Sequence, residues 1–387
     1  VTEGDDTALF DHGIASIDST TRRAQKSFNR WLELPEDERK PARLIDMLGF
    51  DYFKLLDLLT IARSRKHIQT FYDTRDIGHF PERRKPLSYH SPLTARSDVM
   101  GFNDIFAQLS LLKLVVYTPA AFLLPSRVQK YIDQSGNKQD NLSLAGREQG
   151  LQALMTVNLL KRLESSVASF RLTLQSLQAN HLNTLDRIAE FNQTGAATRI
   201  GDLSDMLGNL EAEDDDFSFP ESDDETIGGK VKISLADMDL PSWEHALKSD
   251  LDVIEMLLDS MNKITPEDDA KLQHLKAHVL HKIANPINPG NKKVLIFTAF
   301  ADTADYLYAN LAPVLQDAFG LHSAKITGKN APQCSLKQGR RHYDFQELLT
   351  LFSPHSKDKA AILPEEPAEI DVLFGTDCIS EGQNLQD

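Results

Sequence analysis

Residues 375–387 combine glycines with carboxylate, hydroxyl and amide side chains, a set of groups that can bind a phosphate. They directly follow an apolar run at 370–374, whose short length and β-branched and aromatic content predict a buried parallel strand. Ligands of open α/β sheets bind beyond the carboxyl ends of the strands, where glycines let the backbone approach a phosphate. We therefore expect Asp377, Ser380 and Asn384 to lie at a phosphate-binding site.

This segment, GTDCISEGQNLQD, resembles motif V of the superfamily 2 helicases and DNA translocases, in the form found in bacterial Snf-type ATPases. A second block, KVLIFTAFADTADYL at 293–307, resembles motif IV of the same proteins, which is a strand that runs into a helix. Between them, residues 324–328 resemble the short second strand of that lobe, and residues 345–354 resemble the helix before the motif V strand. The matches occur in the family's order, which makes the resemblance specific.

The resemblance implies an α/β fold with the parallel, RecA-like sheet of the helicase C-terminal lobe, preceded by a large, mostly α-helical region. In this family two such lobes clamp ATP and Mg²⁺ between them and move along nucleic acid as the cleft opens and closes. Thr298 and Thr376 would then contact the nucleic-acid backbone, and Glu381 would be a catalytic residue at the lobe interface. The implied ATP-binding residues are Gly375, Asp377, Gly382 and Asn384.

Two parts of such an ATPase have no counterpart in the sequence. A phosphate loop with its lysine is missing, and so is an acidic pair after a strand to hold magnesium. The chain also starts at Val1 and stops inside the motif V segment, before the arginine-rich motif VI. We therefore expect a fragment, with an incomplete sheet, that hydrolyses no ATP alone and binds neither ATP nor Mg²⁺ tightly. Its expected partners are nucleic acid, DNA rather than RNA, and a first lobe of the same protein.

The net charge of −15 opposes binding to nucleic acid, because such binding depends on basic side chains that displace counterions from phosphates. The charge is unevenly distributed, however. Carboxylates crowd residues 211–229 and predict a mobile acidic linker. A basic zone further upstream contains Arg63, Arg65 and Lys66, which resemble the basic stretch at the end of the family's first lobe. These three residues are predicted to contact nucleic acid, and a merely solvated surface is the alternative.

Composition limits the class of protein. Only Cys334 and Cys378 occur, far apart in sequence, which argues against a disulfide framework or a cysteine-based zinc site and suits a reducing compartment. The sequence has neither a long apolar run nor a leader of basic and then apolar residues, so membrane insertion and secretion are not expected. We expect a cytoplasmic, bacterial protein without a bound metal in this chain.

Four segments follow from these features: a helical end of the first lobe at 1–95, a helical insertion at 96–210, the acidic linker at 211–229, and the C-terminal lobe at 230–387. Within the insertion, apolar residues spaced three and four apart from Leu160 to Leu177 predict a helical seam buried in a core. The neighbouring Lys161 and Arg162 are a weaker nucleic-acid candidate. Further on, Thr265 and Pro266 predict a helix that begins there, with threonine as its N-cap.

A different class of function remains open from sequence. The long helices and the acidic linker would also suit a non-enzymatic module, in which a degenerate RecA-like lobe is a scaffold and the helices bind a partner protein. The sequence on either side of this chain in its gene would distinguish the two, since an enzyme needs a phosphate loop upstream and an arginine-rich motif downstream.

Overall fold

The computed structural model describes residues 16–35, 38–59, 85–134, 144–194, 199–200, 233–328, 330–336, 342–379, 383 and 385. The chain divides into two compact units, Val1–Ser88 and Tyr89–Asp387. The candidate site lies entirely in the second unit.

The first unit contains three helices, α1 (Ile17–Leu32), α2 (Pro41–Leu48) and α3 (Phe50–Leu59). Helix α1 begins after Ser16, whose hydroxyl accepts the Ser19 N–H and so satisfies one free donor of the first turn. Helix α2 begins at Pro41, whose fixed φ suits a first helical position. The helical structure predicted for this part of the chain is therefore confirmed for the residues that the structure describes.

The second unit begins with helical structure. Its helices are α4 (Phe102–Leu109), α5 (Val128–Gln134), α6 (Leu144–Ser165), α7 (Val167–Thr194) and α8 (Leu240–Asn262), with a two-residue antiparallel pair formed by β1 (Arg199–Ile200) and β2 (Ile233–Ser234). Helices α7 and α8 pack along each other, and their buried side chains, among them Trp243 of α8, contribute to the main apolar core. The Trp243 indole N–H donates to the Val115 carbonyl at 3.1 Å.

The predicted apolar seam is confirmed as core. Its buried members are Leu163, Val167, Phe170, Leu174 and Leu177. The seam crosses two helices rather than one, because α6 ends at Ser165 and α7 begins at Val167. The Ser166 hydroxyl accepts the Ser169 N–H at 3.0 Å and so caps the new helix. This break places the α6–α7 junction beside the sheet.

A buried carboxylate on α6 predicts a pH-dependent stability. Glu148 is 3% exposed, both of its carboxylate oxygens accept the Ala120 N–H, and burial raises its pKa from 4.5 to about 7. Between about pH 4.5 and 7 the Glu148 carboxyl is therefore protonated in the folded state and ionised in the unfolded state, so the free energy of unfolding falls as the pH rises through this range.

Glu148→Gln keeps an acceptor without the charge, so it should stabilise the unit by about 2–3 kcal/mol at pH 8 and by little at pH 4.5. Denaturant unfolding across this pH range checks the prediction, with the exposed Glu190→Gln on α7 as the control. A parallel stability–pH profile for wild type and Glu148→Gln would contradict it.

The sheet consists of β3 (Val294–Phe297), β4 (Ser323–Ile326), β5 (Gln333–Cys334) and β6 (Val372–Gly375), in the spatial order β3-β6-β4-β5. The three predicted strands are confirmed as β3, β4 and β6, and β6 lies between the other two and pairs in parallel with both. The sheet is mixed rather than wholly parallel, since β5 pairs antiparallel with β4 at the edge. The chain is thus α/β and mostly helical, and a RecA-like lobe stays a prediction.

Four helices accompany the sheet: α9 (Ala270–Ala284), α10 (Ala301–Phe319), α11 (Phe345–Phe352) and α12 (Lys359–Ile362). The helix expected after the motif IV strand and the helix expected at 345–354 are confirmed as α10 and α11. Helix α10 ends at Gly320, which adopts a φ of +67° that favours glycine. Leu311 and Leu315 of α10 pack with Phe374 of β6 in one apolar cluster.

The predicted start of α9 was wrong. The N-cap is Asp269, whose carboxylate accepts the Leu272 N–H at 2.9 Å, and Thr265 lies in the preceding turn. Both residues satisfy the local capping pattern, but tertiary contacts favour Asp269. Its other carboxylate oxygen accepts the Tyr306 hydroxyl at 3.0 Å, and the Ala270 N–H donates to the Leu93 carbonyl.

The acidic segment 211–229 lies outside the described residues, so its predicted mobility stays a prediction, as do the four predicted segment bounds. No helix in the part of the chain that the structure describes is long and apolar enough to cross a membrane.

Candidate functional site

Three parallel strands end side by side, and backbone hydrogen bonds hold the segments that follow them together. The Thr298 N–H donates to the Gly375 carbonyl at 2.9 Å, which joins the end of β3 to the end of β6. The Thr376 N–H donates to the Ile326 carbonyl at 3.4 Å, which joins the end of β6 to that of β4. Because parallel strands point the same way, Thr298 and Thr376 lie at one edge of the sheet.

The segment after β6 is tightly packed. A side chain at Gly375 would approach Ile379 Cδ1 to 2.2 Å, so the absence of one makes room for Ile379. The Thr376 side chain is buried, and its hydroxyl lies 3.5 Å from the Cys378 sulfur. Asp377 is exposed. Of the predicted ATP-binding residues that the structure describes, Asp377 therefore presents its side chain to solvent, whereas Gly375 shapes the turn.

Thr298 borders a cleft of about 530 Å³ between the α6–α7 junction, α9, and the start of α10. Its hydroxyl donates to the Phe300 carbonyl at 2.9 Å, which fixes the turn between β3 and α10. The cleft walls are largely apolar and include Leu275, Ile296 and Leu307. A cavity of this size with apolar walls and a few polar groups is typical of sites for small molecules or single groups of a larger ligand.

A buried arginine connects the helical region to the segment after Thr298. The Arg162 side chain is 0% exposed, and its Nη1 donates to Asp302 Oδ2 at 2.7 Å and to the Ser169 hydroxyl at 3.2 Å. Its guanidinium also lies 4.8 Å from the centre of the Phe300 ring, within the range of a cation–π interaction. Arg162 therefore cannot face nucleic acid, and that prediction was wrong. The neighbouring Lys161 is exposed and borders the cleft.

Hydroxyl groups form further contacts between the α6–α7 junction and the start of α10. The Thr303 hydroxyl is 2.7 Å from the Ser165 hydroxyl and 3.0 Å from that of Ser166. Lys271 of α9 donates from Nζ to the Glu164 and Ser165 carbonyls at the end of α6, which satisfies acceptors that the helix leaves free. Burial lowers the pKa of Lys271. The floor of the cleft is thus held by contacts among α6, α9 and α10.

The remaining predicted site residues are not described. Arg63, Arg65, Lys66, Ser380, Glu381, Gly382 and Asn384 all lie outside the described residues. Within the described ranges, no three His, Cys, Asp or Glu side chains are close enough to hold a metal ion. The resemblance itself assigns the magnesium ligands to a first lobe.

Sequence reasoning missed the cleft. It singled out Thr298, but Asn158 and Lys161 come from α6, more than a hundred residues earlier, and no local pattern connects them to β3. The choice of Lys161 as a weaker nucleic-acid candidate was a partial signal, because Lys161 lines the cleft together with Glu164, Ser165 and Ser166.

Comparisons of this chain with protein-family models, with curated proteins and with solved structures gave no match.

Proposed function

We propose that this chain supplies the second RecA-like lobe of an ATP-dependent, Snf-type helicase or translocase and contacts the nucleic-acid backbone through the segments that carry Thr298 and Thr376. The first lobe would supply the phosphate loop and the magnesium ligands. ATP, when bound between the lobes, would provide the free energy for their movement. In this chain, Asp377 is exposed beside the strand ends and would orient toward the nucleotide, together with the motif V residues that follow it.

One observation supports this proposal most directly. The Thr298 N–H donates to the Gly375 carbonyl, so the two segments that resemble motifs IV and V are adjacent although they lie far apart in sequence. A lobe that follows a nucleic-acid backbone needs neighbouring polar groups spaced to reach successive phosphates. The paired strand ends bring the backbone of these two segments together, whereas the Thr376 side chain itself is buried.

The alternative, a module whose long helices bind a partner protein, has less support. The apolar seam that would serve as the docking face is buried against the unit's own core. Five of its six side chains are therefore unavailable to a partner, and the sixth, Leu160, is partly buried against the same core.

Nucleic-acid binding by the chain tests the proposal. Fluorescence anisotropy with labelled single-stranded DNA, duplex DNA and RNA should show binding that weakens as salt rises, because phosphate contacts displace counterions. Thr298→Val removes the hydroxyl that donates to the Phe300 carbonyl and so fixes the turn after β3. It should weaken binding by about 3- to 10-fold, because the lost hydrogen bond no longer holds the backbone of this edge in place.

Thr194→Val is the matched control, because the Thr194 hydroxyl also donates to a carbonyl but lies at the exposed end of α7. It should leave the affinity unchanged. Failure of the chain to bind any of the three nucleic acids at low salt would refute the proposed role.

A further inference from the structure

Strand β3 lies at one end of the sheet, and its outer edge has backbone groups that no described strand bonds to. The Val294 and Thr298 N–H groups donate to the Asp371 and Gly375 carbonyls on the β6 side. Successive residues of a strand direct their backbone groups to opposite edges, so the N–H and C=O groups of residues 295 and 297 point away from β6. Phe297 is 48% exposed, so this edge is open to a ligand.

We infer that the outer edge of β3 binds an extended segment of a partner protein as an added strand, with an apolar side chain in the cleft beside Thr298 and a carboxylate side chain in a second cavity at the start of β3. Outward N–H and C=O groups two residues apart match the repeat of a polypeptide strand. In this mode of recognition the main chain supplies affinity, and cavities beside the edge select alternate side chains. The inference does not depend on the proposed contact with nucleic acid.

Two cavities border this edge, one at each end of β3. The cleft beside Thr298 borders residues 296–298 at the end of the strand. The second cavity, of about 290 Å³, borders Lys293 and Leu295 at its start. A strand advances about 3.3 Å per residue, so about six residues of an added strand reach from one cavity to the other.

The cleft suits an apolar side chain. Its apolar wall includes Leu275, Ile296 and Leu307. The charged residues that line it have balanced charges: Lys161, Glu164, Asp269 and Lys271. The Asp269 carboxylate already accepts two hydrogen bonds, and the Lys271 ammonium already donates two. A charged side chain therefore gains little there, whereas an apolar one is removed from water.

The second cavity suits a carboxylate. The Ser353 hydroxyl, which lines it, is buried and has no hydrogen-bond partner in the described part of the chain. The Lys282 ammonium donates to the Asn291 and Lys293 carbonyls, which leaves one of its three N–H groups. Burial lowers the pKa of Lys282, so a bound anion would stabilise its charged form. The nearby Glu369 carboxylate already pairs with Lys293.

The test uses the 387-residue chain and fluorescein-labelled heptapeptides of alternating valine and threonine, with one aspartate at each position in turn. Fluorescence anisotropy should identify a best position for aspartate, and asparagine at that position should bind about tenfold more weakly, because it lacks the charge. Ser353→Ala should weaken binding of the best peptide about 3- to 10-fold without loss of stability, since the hydroxyl has no described partner in the free chain. Lys282→Met should weaken it about tenfold. Lys276→Met is the matched control, because Lys276 is also half-buried on α9 but does not line the cavity.

N-methylation of the peptide separates strand addition from other binding. Methyl groups on alternate residues block one edge of a strand, so one alternate set should weaken binding at least about tenfold and the other should leave it within about twofold. Phe297→Pro should also weaken binding about tenfold, because it removes an outward N–H and keeps the N–H groups that bond to β6. Phe297→Ala keeps that N–H and is its control.

Equal effects of the two methylated sets, or no preference for aspartate at any position, would refute the inference. So would the absence of peptide binding up to about 1 mM. A wild-type dimer in light scattering that Phe297→Pro dissociates would show that a second copy occupies the edge instead. Peptide binding without nucleic-acid binding would contradict only the proposed function, and the reverse would contradict only this inference.

Discussion

Arg162→Met should lower the free energy of unfolding of the second unit by about 3–5 kcal/mol. The substitution removes the cation from a site where the Arg162 side chain is fully buried and leaves the carboxylate of Asp302, which is 15% exposed, without that partner. It also removes the hydrogen bond to Ser169 and the contact with the Phe300 ring. Methionine fills a similar volume, so the expected loss comes from the unpaired charge and not from a cavity. Denaturant unfolding measured by circular dichroism would give this difference.

Two further variants separate the charge effect from a general loss of packing. Arg162→Met combined with Asp302→Leu removes both charges and should recover at least half of the lost stability, because an apolar pair can replace a buried ion pair. Arg96→Met removes an exposed arginine that pairs with Asp98 and Asp268 and should change stability little. If Arg162→Met unfolds at the same denaturant concentration as the wild type, the buried pair does not hold the helical region to the β3–α10 turn.

The strands that carry the site were predictable because their signal is local. β3 and β6 are short apolar runs, whereas β4 also contains Ser323 and Lys325; each of the three strands is followed by threonine, and their order matches that of the motifs they resemble. The edge strand β5 has no such signal. It contains only Gln333 and Cys334 and exists because it pairs with β4. A two-residue strand of this composition follows from its neighbour and not from its own sequence.

The side chains that shape the cleft were less predictable. Arg162 is an ordinary charged residue in a helical pattern, and its partner Asp302 is 140 residues away. The break at Ser166 lies beside the start of α10, where the Ser165 and Ser166 hydroxyls bond to that of Thr303. The start of α9 was missed for the same reason, since the choice between Thr265 and Asp269 depends on Leu93 and Tyr306. In both cases contacts between residues far apart in sequence determined the local structure.

Turnover in the complete protein is the second large effect that we expect. Phosphoryl transfer is catalysed mainly by positioning and by cations around the γ-phosphate, and the resemblance places the lysine, the magnesium ligands and the arginine fingers in other parts of the protein. Glu381→Ala or Asn384→Ala in the protein expressed from the complete reading frame should lower nucleic-acid-stimulated ATP hydrolysis by about one to two orders of magnitude, roughly 1.4–2.8 kcal/mol of barrier. The melting temperature should change little, because the resemblance gives both residues roles in catalysis and nucleotide binding.

The most direct test of the second-lobe assignment is a steady-state measurement of ATP hydrolysis, with and without single-stranded DNA, for the 387-residue chain and for the product of the complete reading frame. We predict hydrolysis stimulated by DNA in the complete product, a decrease of about ten- to a hundredfold in the Glu381→Ala and Asn384→Ala forms, and none above background in the chain alone. Hydrolysis by the chain alone, or unchanged turnover in both substituted proteins, would contradict the assignment.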